Sequence, residues 1–157
     1  MIGRARKALA VVLSVVVLIL MTVSMAAAAP PPTVHIEVPE AIGVNGDPFT
    51  ASGPAVSVGV ICASGTVDDL AVVSSGPGAG SFVILHVDKR FTCGDLSGTF
   101  DISMTVRLDE TTDSTTASWR IAGGTGAYSG LHGNGWLVGT PIEPDVSIFD
   151  VYDGRVH

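Results

Sequence analysis

The sequence predicts an all-β fold, an antiparallel β-barrel of about eight strands, with a β-sandwich as the alternative. Three observations carry that expectation. Phe100, Ile102, Met104, Val106 and Leu108 alternate with Asp101, Ser103, Thr105 and Arg107, a period of two that a helix cannot use. Charged residues make up only 15% of the chain while Gly, Val, Thr and Ser are abundant, the usage of an exported β protein rather than a helical one. The stretch from Trp119 to Gly139 carries seven glycines between apolar ends, the pattern of a strand, a compressed turn and a second strand.

The chain opens with Arg4, Arg6 and Lys7, a mainly apolar run from Ala8 to Met21, and small residues from Ser24 to Ala29. That order predicts a secretory signal peptide over residues 1–28, cleaved within a residue of Ala28. The apolar run is too short for a membrane helix, and Pro30-Pro31-Pro32 follows it as a linker over 29–32 rather than a basic flank. The expected mature protein is therefore secreted, with no membrane partner after cleavage. Beyond the leader five basic residues face fifteen acidic ones, a net charge of −10. A nucleic-acid partner is excluded on that basis, since phosphate binding needs a basic patch. Residues 33–157 are long enough for one domain with a real core.

Within that domain, Val34, Ile36 and Val38 alternate with His35 and Glu37, a first or edge strand that Pro39 ends. Gly43 to Pro48 has turn chemistry built on Asn45-Gly46. Val56, Val58, Val60 and Cys62 alternate in a second predicted strand, Ala55 to Cys62. Gly65 to Ser74 is a third, with its alternation broken at Asp68-Asp69 in the manner of a bulge. A loop over Ser75 to Ser81 leads to Phe82–Phe91, where Val83, Leu85, Val87 and Phe91 share one side. Asp95 to Gly98 turns the chain into the alternating strand at 100–108. Asp109 to Thr116 is a polar hairpin tip, and Ala117, Trp119 and Ile121 resume an inward set. Trp136 to Val138, a loop at Pro141 to Pro144, and a last strand from Val146 to Val156 complete the count. No helical pattern follows the leader.

Cys62 and Cys93 are the only cysteines, and both lie in the exported part, so they are expected to form one disulfide. On the chain-entropy account such a bridge stabilises by about 3–4 kcal/mol. No C-x-x-C pair or activating neighbour points to thiol chemistry.

The glycine segment does not fit a nucleotide loop: Gly124, Gly126 and Gly130 have the wrong spacing, and no helix follows. The physical reading is a structural turn, in which Gly123, Gly124 and Gly126 supply unusual backbone angles, Tyr128 tucks against the core, and Gly130, Gly133 and Gly135 permit close approach. The run G-G-T-G-A-Y-S-G-L-H-G-N-G, with Trp119 before it, resembles the glycine signature of the allene oxide cyclase and dirigent-like barrels. It is closer still to small exported bacterial proteins that share this turn and an ending like Tyr152-Asp153-Gly154-Arg155-Val156. The resemblance implies an eight-stranded antiparallel barrel with an apolar interior and, in the plant families, oligomers. It carries over Gly123, Gly124, Gly126, Tyr128, Gly130 and Gly133 as turn-formers only, and no catalytic residue.

Other candidates have plainer explanations. Asp109, Glu110 and Asp113 could gather around calcium, but their spacing fits no calcium loop and suits a solvated hairpin tip. Asp68 and Asp69, as neighbours on a strand, point to opposite faces and cannot share a site without a bulge. His35, His86, His132 and His157 are too scattered for a zinc pair, and Ser129 lacks the setting of a nucleophile elbow. No catalytic residue, metal or cofactor is expected. Phe100, Met104, Trp119, Tyr128 and Trp136 are the candidates for contact with a ligand, and Phe100, Ile102, Met104, Val106 and Trp119 for the barrel lining. The leading expectation is a secreted, non-enzymatic barrel that binds a small apolar ligand. The alternatives are a cyclase- or isomerase-like enzyme working in the barrel cavity, and a structural or interaction protein at the cell surface, with a homo-oligomer as partner.

Overall fold

The computed structural model describes residues 29–77 and 80–157, so the predicted leader at 1–28 lies outside the described residues. Eight antiparallel strands follow one another in chain order around a closed barrel. They are β1 (Thr33–Ala41), β2 (Asp47–Ser52), β3 (Ser64–Pro77), β4 (Phe82–Cys93), β5 (Thr99–Asp109), β6 (Ser114–Gly124), β7 (Gly133–Glu143) and β8 (Ser147–Val156). The ring closes where β1 pairs with β8, in register from Thr33↔Arg155 to Ala41↔Ser147. β1 is thus the first strand but not an edge, because closure satisfies both of its sides.

Alternation decides which side chains go inside. Val34, Ile36 and Val38 on β1, Phe100, Ile102, Met104 and Val106 on β5, and Ala117 and Trp119 on β6 are all buried, as their period of two requires. The bulge expected in β3 falls immediately after Asp69, where the register with β4 slips between Asp69 and Ala71. Leu70 is the extra residue, and the slip moves Val72 onto the inward side.

The predicted strand at Ala55–Cys62 is wrong. A short helix, α1 (Pro54–Ser57), stands there, followed by turns, and the second strand of the barrel is instead the segment before it, β2. Gly53 has a φ of 100° and Pro54 opens the helix, so the chain cannot enter extended. Ser57 N–H donates to Gly53 O at 3.1 Å and Val60 N–H to Ala55 O at 2.8 Å. The alternating valines misled: Val58 is 68% exposed, whereas Ala55, Ile61 and Cys62 are the residues that enter the core. Pro141–Pro144 is likewise not all loop, since β7 runs to Glu143.

The two ends of the barrel differ. At one end α1, the β4–β5 turn and the glycine segment cover the interior, and the Cys62–Cys93 disulfide, Cα atoms 6.0 Å apart, ties the approach to β3 to the end of β4. Phe91 and Phe100 stack at 4.9 Å between ring centroids, and Phe49 and Tyr152 meet Phe91 edge-on at 5.2 and 5.7 Å. This half is solid aromatic core. Tyr128 extends it, meeting Phe100 edge-on at 5.9 Å while its hydroxyl lies 2.8 Å from Ser97 Oγ.

The glycine segment is a structural turn, but its glycines act differently from one another. Only Gly126 among Gly123, Gly124 and Gly126 has a positive φ, 58°. Gly124, Gly133 and Gly135 are places where a Cβ would strike neighbouring backbone or ring atoms, whereas Gly123 and Gly130 have open space around them. Close approach is therefore required at Gly124 and not at Gly130, the reverse of the expected assignment for those two.

Candidate functional site

Period two has a consequence at mid-barrel. The inward set of β1 continues from Val38 to Glu40, that of β4 from Val87 to Lys89 and on to Phe91, and that of β8 from Ile148 to Asp150 and Tyr152. Glu40, Lys89 and Asp150 are consequently buried, on strands whose neighbouring inward residues are apolar. Lys89, the only lysine after residue 28, sets its Nζ 2.5 Å from Glu40 Oε1 and 2.7 Å from Asp69 Oδ1. Asp68, by contrast, sits opposite Arg90 in the strand register. The two aspartates thus part as their adjacency requires. Glu40 Oε2, Asp150 Oδ1 and the Tyr152 hydroxyl are buried without a hydrogen-bond partner. Native interiors rarely leave such atoms unpaired.

These groups hold unusual protonation equilibria. Burial drives the Asp150 carboxyl up to about 7 from 3.8, with the Glu40 charge adding to the effect. Burial also raises Glu40, outweighing the attraction of Lys89. For Lys89, burial pulls downward, but Glu40 and then Asp69 overcome it and the ammonium is held above its ordinary value. Tyr152 is pushed well above 10.0 by burial and by the Asp150 charge, and stays a neutral phenol.

A group whose folded pKa is raised contributes stability that is present below its unfolded pKa and lost as pH rises through the folded value. For Asp150 that window runs from 3.8 to about 7, and Glu40 acts in the same direction. The barrel is therefore expected to gain stability on mild acidification. At about 1.4 kcal/mol per pKa unit, Asp150 contributes on the order of 4 kcal/mol across its window. Asp150→Asn should flatten the slope and stabilise the protein above neutrality, as read from urea midpoints across that range. A slope unchanged in the variant would mean that Asp150 is ionised and solvated throughout.

Beyond this charged level the other half of the barrel is hollow. A cavity of about 300 Å³ opens at the end formed by the β1–β2, β5–β6 and β7–β8 hairpins. Leu85, Val87, Met104, Val106, Leu137 and Ile148 form its walls, and Glu40, Asp69, Lys89 and Asp150 its charged floor. Asp113 and Asp145 stand on the hairpins at the mouth, as does Ile42, which is half exposed. Ile42 N–H donates to Val146 O at 2.9 Å, joining the β1–β2 and β7–β8 hairpins across the closure of the ring.

Of the five residues expected to contact a ligand, Met104 lines the cavity. Phe100 lies in the aromatic half, and Tyr128 is in the glycine turn at the covered end. Trp119 is buried against Gly135 and Gly154, its indole N–H donating to Trp136 O at 3.0 Å. Trp136 is 54% exposed, on the outer surface. These four lie away from this cavity, in the solid half, at the covered end or on the outside. Of the expected lining, Met104 and Val106 border the cavity, while Phe100, Ile102 and Trp119 are packed core.

The charged floor was not anticipated, although its signal was present in Lys89, which shares the parity of Val87 and Phe91. The histidines stay apart from it. His35 bonds Asp153 at 2.8 Å, a contact that raises its pKa, and His132 and His157 exchange backbone hydrogen bonds. Among the described residues no three His, Cys, Asp or Glu side chains are placed to hold a metal ion. Comparison with protein-family profiles, with curated proteins and with solved structures finds no match.

Proposed function

We propose that this chain is an exported barrel protein that takes a small, mainly apolar molecule into the open half of its barrel. The observation that carries the reading is the asymmetry of the interior. Eight strands enclose a space that side chains can fill completely, and here they fill only one half. The remaining 300 Å³ is walled by aliphatic side chains and reached through a mouth that Ile42 flanks, at the small end of the usual range for small-molecule sites. The predicted leader and a disulfide between the only two cysteines support an oxidising, extracellular destination.

The test is an organic extract of the purified protein, read by mass spectrometry, beside calorimetric titration with short aliphatic probes. Val106→Phe, which projects a ring into the hollow half, should weaken probe binding at least about tenfold while the fold persists. An empty extract together with no probe binding would overturn the reading.

One observation favours a second reading, proton-transfer catalysis of the cyclase or isomerase kind. Four ionisable side chains converge on the cavity floor, and Asp150 titrates near neutrality, where a general acid or base works best. The two separate on the fate of the bound molecule. Binding returns it chemically unchanged, whereas catalysis returns a product and loses turnover in Asp150→Asn.

A further inference from the structure

We propose that the molecule held in the open half is an apolar cation, an aliphatic body ending in a protonated amine, with its ammonium seated between Glu40 and Asp150. The inference rests on the ligand-binding reading above and specifies what that cavity selects. The lining brings five carboxylates, Glu40, Asp69, Asp113, Asp145 and Asp150, against one ammonium, Lys89. Lys89 is already engaged, within 2.5 Å of Glu40 and 2.7 Å of Asp69, so it has little to offer an anionic ligand.

What lacks partners is mostly acceptor. Glu40 and Asp150 are each more than nine-tenths buried, line the cavity, and keep one oxygen without a hydrogen-bond donor. A carboxylate headgroup would meet repulsion at the mouth from Asp113 and Asp145 and again at the floor. A neutral alcohol offers one donor and no charge. An ammonium offers three donors and the positive charge that the level lacks. A bare metal ion fits poorly, since no three of the described carboxylates, histidines or cysteines are placed to ligate one together. An apolar body, by contrast, would match the aliphatic walls between mouth and floor.

The experiment titrates the full mature protein with octylamine, octanol and octanoate by calorimetry, at a pH above the Asp150 titration. Octylamine is expected to bind at least about tenfold more tightly than octanol, as a charged hydrogen bond in a buried site warrants, and octanoate most weakly. Asp150→Asn should narrow the ratio of octylamine to octanol affinity. Octanol or octanoate binding as tightly as octylamine would overturn the cationic preference and leave the apolar-ligand reading standing. Failure of all three would overturn both. Retention of the full octylamine advantage in both Asp150→Asn and Glu40→Gln would remove the assigned seat, and the proposal with it.

Discussion

Replacing Lys89 with methionine is expected to destabilise the barrel by about 3–5 kcal/mol at neutral pH, the largest loss foreseen for a single side chain. Methionine approximates the stem of lysine, so the change removes the ammonium more than it removes volume. Glu40 would then remain buried, and Asp69 half-buried, without their counter-ion, beside Asp150. The melting temperature should fall on the order of 10 °C or more. The sign of the pH effect is fixed by the same groups. Without Lys89, Glu40 and Asp150 are pushed further above their unfolded values, so the variant should recover stability as pH falls and lose it as pH rises. Adding Glu40→Gln should offset part of the damage, because it removes one of the stranded charges, and a double-mutant cycle would show the coupling. A Lys89→Met protein that melted with the parent would mean that water from the mouth already solvates the level.

The second large effect lies at the covered end. Gly124→Ala should cost at least about 2 kcal/mol, whereas Gly123→Ala next to it should be neutral or stabilise by up to about 1 kcal/mol. A Cβ on Gly124 would press on the carbonyl oxygens of Tyr128 and Thr99. Neither can yield cheaply. Tyr128 O accepts from Leu131 N–H at 3.0 Å, and Thr99 O from Thr125 N–H at 2.8 Å. Gly123 has nothing within reach of a Cβ and an ordinary φ, so alanine there only narrows the unfolded ensemble. Thermal melts of the two variants check the contrast. Equal melting temperatures would make the turn an ordinary loop.

The barrel was legible in the sequence wherever one face of a strand alternates cleanly, as from Phe100 to Leu108. It was illegible over 53–62, where the valine alternation imitates a strand and the deciding features are the positive φ of Gly53 and the proline after it. The charged level lay between these cases. Glu40, Lys89 and Asp150 each extend an apolar inward set by its own parity, so their direction could be read from spacing. Their meeting could not. Glu40 and Lys89 are 49 residues apart, and only the stagger of the closed ring brings them to one height. Aromatic residues attracted the ligand expectation because they are large and suited to contact, yet here their size is what fills the solid half and leaves the aliphatic half open.

The ring has one seam unlike the rest. Every neighbouring pair is joined by a short connection except β1 and β8, which are sewn together across nearly the whole domain. Seven of the eight pairings can zip as local events soon after their residues become available, and the seam cannot. For a chain that emerges N-terminus first, β1 must wait for Arg155 before its outer hydrogen bonds are satisfied, while its apolar face already shelters on its neighbours. The last ten or so residues therefore set when the protein stops being an open sheet with a sticky margin and becomes a sealed tube. Truncation there would produce an association-prone intermediate rather than a slightly shorter barrel.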